Sequence, residues 1–170
     1  MIYLTNAANH ILRQANLNEN LTPAEFGFRF QHLVASALRR RMDLQDLYEN
    51  AGAGQPDCYS NASSYGFEVK CQSTNPIKLY KNRWDALPKY KNPTLVAMLK
   101  VDPPYPLWVV DLKDVPREPI SLSRHTRVNA ELESHLHRIL SQEIEAVGLS
   151  RLIQSDRSAF RKMLTPERTI

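Results

Sequence analysis

The sequence contains little cysteine, with only Cys58 and Cys71 among its 170 residues. Two cysteines cannot form a disulfide framework, so we expect a reducing compartment and interpret both as buried thiols rather than zinc ligands. No apolar run approaches the roughly 18 residues that cross a bilayer, and the N-terminus lacks the basic start and apolar stretch of a signal peptide. These absences predict a cytoplasmic protein without a membrane partner.

Several catalytic patterns are also missing. The sequence has no glycine-rich phosphate loop, no C-x-x-C pair and no Ser-His-Asp pattern, and we therefore expect no small-molecule cofactor. The net charge of +4 and the pI near 9.1 are compatible with a polyanionic partner. Because 42% of the residues are apolar and 24% are charged, we expect an ordinary globular protein.

Hydrophobic periodicity predicts a helix, then strands, then further helices. A T-x-x-E capping box begins the first helix, whose apolar side chains recur at helical spacing. Turn-forming residues separate the first two strands, as in a hairpin. The expected helices lie at about 22–41, 82–90, 128–148 and 155–164, and the expected strands at 56–60, 67–72, 94–101 and 107–112.

This order of elements predicts an α/β or α+β fold with a central mixed β-sheet flanked by helices. The length suits one domain over residues 1–170. We expect its core at about 22–112 and a helical C-terminal third at about 128–164. The apolar stripe of that C-terminal part is compatible with either a core helix or a dimer interface.

Three charged residues of the expected hairpin form a candidate site. Side chains alternate along a strand, so Glu68 and Lys70 share one face, opposite Cys71. In one of the two possible hairpin registers Asp57 lies beside Glu68, and Cys58 then points to the same face as Cys71. This register would gather two carboxylates and an ammonium at one end of a strand.

Such a cluster has a specific chemistry. Two neighbouring carboxylates repel each other unless a cation lies between them, and Mg²⁺ prefers carboxylate oxygens. A metal ion held by Asp57 and Glu68 can activate water and stabilise an in-line displacement at phosphorus. Lys70 can orient the water or offset charge in the transition state. The three residues therefore suit a phosphodiesterase.

The run Pro56-Asp57, a gap of ten residues, and then Glu68-Val69-Lys70 resembles the signature of the PD-(D/E)XK nucleases, which include many type II restriction endonucleases. The resemblance spans about 22–112. It implies a restriction-endonuclease-like core, Asp57 and Glu68 as Mg²⁺ ligands, the Val69 carbonyl as a main-chain ligand and Lys70 as a catalytic residue. Mn²⁺ is expected to substitute for Mg²⁺.

The resemblance also implies an acidic residue on the first helix, close to the metal site. Glu25 is acidic but already belongs to the capping box. Gln31 lies at the edge of the apolar stripe, where the family has Glu, so both residues remain candidates for this accessory role. Gln72 shares a face with Lys70 and is a third accessory candidate, either for the site or for a phosphate contact.

Two segments are candidates for contacts with DNA. Residues 75–92 are rich in Lys and Arg with interleaved Tyr and Trp, a composition that suits a nucleic-acid backbone. Residues 121–127, SLSRHTR, form a polar loop that could reach a groove edge. For both segments an ordinary solvated surface is the alternative. The candidate DNA-binding residues are Lys78, Lys81, Arg83, Lys89, Arg124 and Arg127.

Together these features predict a Mg²⁺-dependent DNA endonuclease, of the type II restriction class by resemblance, that cuts double-stranded DNA at a specific sequence. Recognition of a palindrome implies a homodimer. Three alternatives stay open: a structure-selective or repair nuclease similar to Holliday-junction resolvases, a non-catalytic DNA-binding module of the same fold, and an interaction protein with a chance motif.

Overall fold

The computed structural model describes residues 2–3, 23–49, 52, 54–99 and 106–146 of the chain. Their centre is a six-stranded sheet with the strand order β1-β6-β5-β4-β3-β2. The strands are β1 (Ile2–Tyr3), β2 (Tyr48–Glu49), β3 (Cys58–Ser60), β4 (Tyr65–Gln72), β5 (Asn92–Leu99) and β6 (Pro106–Asp111). The helices are α1 (Pro23–Leu38), α2 (Lys81–Ala86) and α3 (Ala130–Ala146), with 3₁₀ turns at Met42–Leu44 and Leu87–Lys89.

The sheet is mixed because one neighbouring pair of strands is parallel. β4 and β5 run in the same direction, from Tyr65 opposite Asn92 to Gln72 opposite Leu99, while the other neighbouring strands are antiparallel. A parallel pair needs a crossover connection, since the chain must return to the starting edge of the sheet. Helix α2 lies in that crossover. Its position brings α2 to one face of the sheet, next to β4.

Two apolar cores lie on the two faces of the sheet. On the first face, Phe67 and Val69 of β4 pack with side chains of α1 and α3. On the second face, Leu95 and Ala97 of β5 pack with Trp84 of α2. β5 and β6 are buried on both faces, which explains why their sequences are nearly continuous apolar runs.

The structure confirms the predicted central mixed sheet flanked by helices. The predicted helix at 22–41 is α1, and Thr22 of its capping box lies outside the described residues. The predicted C-terminal helix is α3, whose Leu132 and Leu136 belong to the core of the first face. Its end at Gly148 and the predicted helix at 155–164 lie outside the described residues.

The prediction of buried thiols is confirmed for Cys58 but not for Cys71, which is only partly buried. Cys58 is buried and Cys71 is half-buried, and both are free thiols. Burial raises the pKa of the Cys58 thiol well above its usual value, so this thiol stays protonated at neutral pH. Among the helices in the described part of the chain, none has the length and apolar character needed to cross a membrane.

Candidate active site

The hairpin of β3 and β4 has the register that brings the two carboxylates together. Cys58 pairs with Phe67 in the antiparallel ladder, so Asp57, the residue before β3, lies opposite Glu68. One carboxylate oxygen of Asp57, Oδ2, accepts a hydrogen bond of 2.9 Å from the backbone N–H of Val69. The main chain of β4 therefore holds the Asp57 carboxylate at the side of Glu68.

Glu68 lies in the middle of β4, and its side chain is fully buried, with 0% exposure. Within the described residues, neither of its carboxylate oxygens has a hydrogen-bond partner. Lys70 Nζ lies 3.8 Å from Oε2, a distance that gives electrostatic attraction without a hydrogen bond. A buried carboxylate without a hydrogen-bond partner is costly, which makes Glu68 a candidate for binding or catalysis.

Arg83 of α2 is the fourth charged residue of the site. Its Nη2 lies 3.5 Å from Asp57 Oδ1, and its Nη1 lies 3.7 Å from Glu68 Oε1. The sequence predicted Arg83 as a DNA contact on a basic segment, without any link to the two carboxylates. The β4–β5 crossover explains the position, because it lays α2 on the face to which Glu68 points.

The surroundings strongly change the proton affinity of Glu68. Its pKa is raised from 4.5 to about 8, chiefly by burial and next by the negative charge of Asp57. The positive charges of Arg83 and Lys70 act in the opposite direction and offset part of the rise. Functional sites often contain a carboxyl group whose pKa is shifted toward neutrality and which lies beside a second carboxylate.

The residues present fit a hard divalent cation such as Mg²⁺. Two neighbouring carboxylates lie together, and the buried oxygens of Glu68 lack partners within the described part of the chain. No group of three or more His, Cys, Asp and Glu side chains is placed to hold a metal ion in the described ranges. A metal ion held by Asp57 and Glu68 would therefore need further oxygen ligands from the main chain or from water. The Val69 carbonyl is the main-chain ligand that the sequence predicts.

The three accessory candidates have different positions. Gln31 is buried on α1, which packs against the face of β4 opposite to the Glu68 side chain. The Gln72 amide donates hydrogen bonds to the carbonyls of Thr74 and Pro76, so it fastens the end of β4. Glu25 belongs to α1, and its side chain lies outside the described residues. Roles for these three residues in the site stay predictions.

The other candidate DNA-binding residues lie on the surface. Lys81 is paired with Asp85 of the same helix, and Arg127 is paired with Asp111. Lys78 is exposed, Lys89 Nζ donates a hydrogen bond to the carbonyl of Gly54, and Arg124 Nε donates one to the ring of His125. Their DNA contacts stay predictions.

A chain of contacts holds Arg83 at the site. Arg83 Nη1 donates a 2.8 Å hydrogen bond to the carbonyl of Gln55, and the Tyr90 hydroxyl donates one of 2.7 Å to Gln55 Oε1. The Tyr90 ring in turn lies against Gly66 of β4, where an added Cβ would come within 2.7 Å of ring carbon Cδ2. Only glycine at 66 leaves room for this ring.

The Gly66→Ala substitution is therefore expected to destabilise the protein by about 1–3 kcal/mol, the usual cost of overpacking. The ring of Tyr90 must shift, and the support of Gln55 shifts with it. Urea denaturation of wild type and variant measures the loss. Tyr90→Ala in the Gly66→Ala background is the control, because it removes the clashing ring, and the added alanine then has little effect. An equal loss in both backgrounds would contradict the steric cause.

The chain was compared with known proteins. No family model matches it, and neither a curated protein sequence nor a solved structure is significantly similar to it. The geometry of the residues therefore carries the functional interpretation.

Proposed function

We propose that the protein is a Mg²⁺-dependent DNA endonuclease of the PD-(D/E)XK type, with restriction of double-stranded DNA as its function. The observation that carries this proposal is the buried Glu68 carboxylate, which lies beside Asp57 and has two nearby cations, Lys70 and Arg83. Two carboxylates and a lysine on adjacent strands are the groups that metal-assisted hydrolysis of a phosphodiester requires.

In the proposed mechanism Asp57 and Glu68 hold the metal ion through their carboxylates. The ion, when bound, supplies an activated water and stabilises negative charge on the phosphate. Lys70, which is 24% exposed, reaches solvent from the same strand face and orients the attacking water or offsets negative charge in the transition state. The buried position of Glu68 keeps bulk water away from one side of the site and strengthens each electrostatic interaction there.

We also propose a DNA-binding surface and an assembly. The exposed Lys78 and Arg124, with Lys89, offer positive charge to the phosphate backbone. For a palindromic target, two copies of the chain would act as a homodimer in the cytoplasm. Mn²⁺ would substitute for Mg²⁺, because both ions accept carboxylate oxygens.

The test is cleavage of a panel of plasmid, phage and branched DNA substrates with Mg²⁺, Mn²⁺ or a chelator. Wild type is expected to give discrete fragments that disappear with the chelator. Asp57→Asn keeps an oxygen that can accept the Val69 hydrogen bond but removes the charge, and should lower the rate by about 10³-fold or more. Asp43→Ala is the matched control, since it removes an exposed carboxylate that is paired with Arg41.

Each outcome has a distinct meaning. Cutting restricted to branched DNA would favour the junction-resolving alternative and contradict the restriction function. Binding without cleavage under every metal condition would favour a non-catalytic module. Neither binding nor cleavage, together with metal binding that is unchanged in Asp57→Asn, would overturn the proposal.

A further inference from the structure

Arg83 differs from Arg117, an arginine after β6 that also contacts α2, in what surrounds it. Its guanidinium group faces both Asp57 and Glu68, at 3.5 Å and 3.7 Å, whereas Arg117 pairs with Asp85 on the outer side of α2. The Arg83 side chain is 28% exposed, so it touches solvent as well as the buried carboxylates. It therefore contacts the two carboxylates and is also accessible from solvent.

The contacts of Arg83 leave most of its hydrogen-bonding capacity for another partner. The carbonyl of Gln55 is the acceptor that fixes Nη1, at 2.8 Å. The nearest carboxylate oxygens lie 3.5 Å and 3.7 Å away, beyond the usual length of a charge-assisted hydrogen bond. A guanidinium group carries five N–H donors in a planar fork that matches a phosphate. Arg83 is thus anchored at one nitrogen and open to an anion.

From this geometry we propose that Arg83 is a further catalytic residue, which donates hydrogen bonds to the non-bridging oxygens of the scissile phosphate. The inference rests on the proposed nuclease function and adds a residue to it. A phosphate brought to Asp57 and Glu68 comes next to the guanidinium, because the same two carboxylates neighbour both groups. The phosphate gains negative charge in the transition state, so a fixed cation there lowers the barrier.

The charges of the site support this role. Lys70 and Arg83 together balance Asp57 and Glu68 when both carboxylates are ionised. A divalent ion then leaves an excess of positive charge, which stabilises the transition state more than the less negative ground state. The same balance predicts that Arg83 repels a metal ion at the carboxylates. Arg83 thus weakens metal binding and speeds the reaction.

These opposite effects separate catalysis from a merely structural role. Arg83→Ala is expected to lower the single-turnover cleavage rate by about 10²–10³-fold, as the loss of a fixed transition-state donor does. In the absence of DNA, calorimetric titration with Mn²⁺ should show binding that is about 3- to 10-fold tighter, because a nearby positive charge is removed. A structural defect at the site would weaken metal binding together with activity.

Two further variants strengthen the test. Arg83→Lys keeps the charge but loses the planar fork, and is expected to recover about tenfold or less of the lost rate. Guanidinium ions added to Arg83→Ala should restore part of the rate, which no structural role would produce. Arg117→Ala is the matched control, since it removes an arginine that contacts α2 through Asp85, and its rate should stay within about twofold of wild type.

The results also distinguish this inference from the function on which it rests. If wild type cleaves DNA and Arg83→Ala cleaves within about threefold of it, the role of Arg83 is overturned and the nuclease function stands. Slower cleavage with weaker Mn²⁺ binding and no guanidinium rescue would also overturn it. If wild type cleaves no substrate, the nuclease function and the inference fail together.

Discussion

Replacement of Lys70 by methionine is expected to lower the single-turnover rate of the proposed DNA cleavage by about 10³-fold, as the loss of a fixed charge that stabilises the transition state does. Lys70 Nζ is 3.8 Å from Glu68 Oε2 and the side chain is 24% exposed, so the ammonium lies next to the carboxylates and within reach of water. Methionine keeps the length of the side chain and removes its charge. The rate should be measured at saturating Mg²⁺ with enzyme in excess over DNA.

The variant Lys70→Met should bind the metal ion at least as tightly as wild type, because lysine is not a metal ligand and the charge that is removed opposes a cation. Lys113→Met is the matched control, since Lys113 is exposed on the turn after β6 and its rate should equal that of wild type within about twofold. A rate for Lys70→Met within about threefold of wild type would assign Lys70 a purely structural pairing with Glu68.

The second large effect is on stability, and the substitution that raises stability is expected to abolish cleavage. Glu68→Gln is expected to raise the free energy of unfolding of the metal-free protein by roughly 3 kcal/mol at pH 7. The pKa of the wild-type Glu68 carboxyl is raised from 4.5 in the unfolded chain to about 8 in the folded protein. At pH 7 folding must therefore either protonate this carboxyl or bury its charge, and both cost free energy. Glutamine has a similar shape and never ionises. The same variant should lose cleavage, since its amide cannot replace the charge that holds a divalent ion.

The pH dependence follows from the raised pKa of Glu68. Between pH 4.5 and about 8 the folded state holds a proton that the unfolded state has released. The stabilising effect of this proton is complete below pH 4.5 and is lost as the pH rises through about 8. The advantage of Glu68→Gln over wild type should therefore grow from pH 5 to pH 8. Urea midpoints measured at several pH values in the presence of a chelator test this slope.

Glu118→Gln is the matched control for this experiment, since Glu118 is an exposed glutamate and its replacement should change stability by no more than about 0.5 kcal/mol at each pH. Parallel curves for wild type and Glu68→Gln would contradict the raised pKa. Added Mg²⁺ should narrow the difference by stabilising wild type alone, because the ion binds the ionised pair in the folded state.

Much of the fold could be predicted because periodicity reports local structure. The alternation in β4 and the turn residues before it predicted the hairpin, and the apolar runs predicted β5 and β6. The two-residue strands β1 and β2 were not predicted, since two residues are too few to show alternation. The parallel pairing of β4 with β5 was not predicted either, because strand direction depends on contacts between distant residues.

The candidate site could be predicted where its residues share one hairpin. Asp57 and Glu68 are close in sequence, and the correct register was one of two. Arg83 was assigned only to a basic segment, because its position depends on the crossover that follows β4 and on the support of Gln55. A signal would have come only from the parallel pairing, because a helix between two parallel strands must lie on a face of the sheet, and here it lies on the face to which Glu68 points.

Side chains alternate between the two faces of the sheet along β4, so neighbouring positions tolerate different substitutions. Phe67 and Val69 face the apolar core, so other apolar residues of similar volume can replace them at little cost. Glu68 faces the charged cluster, where a neutral substitute relieves the fold and, under the proposed function, abolishes cleavage. A library randomised across this strand and sorted for folded protein alone would accumulate neutral residues at 68. Directed evolution for thermal tolerance must therefore select for folding and for the proposed DNA cleavage in the same round.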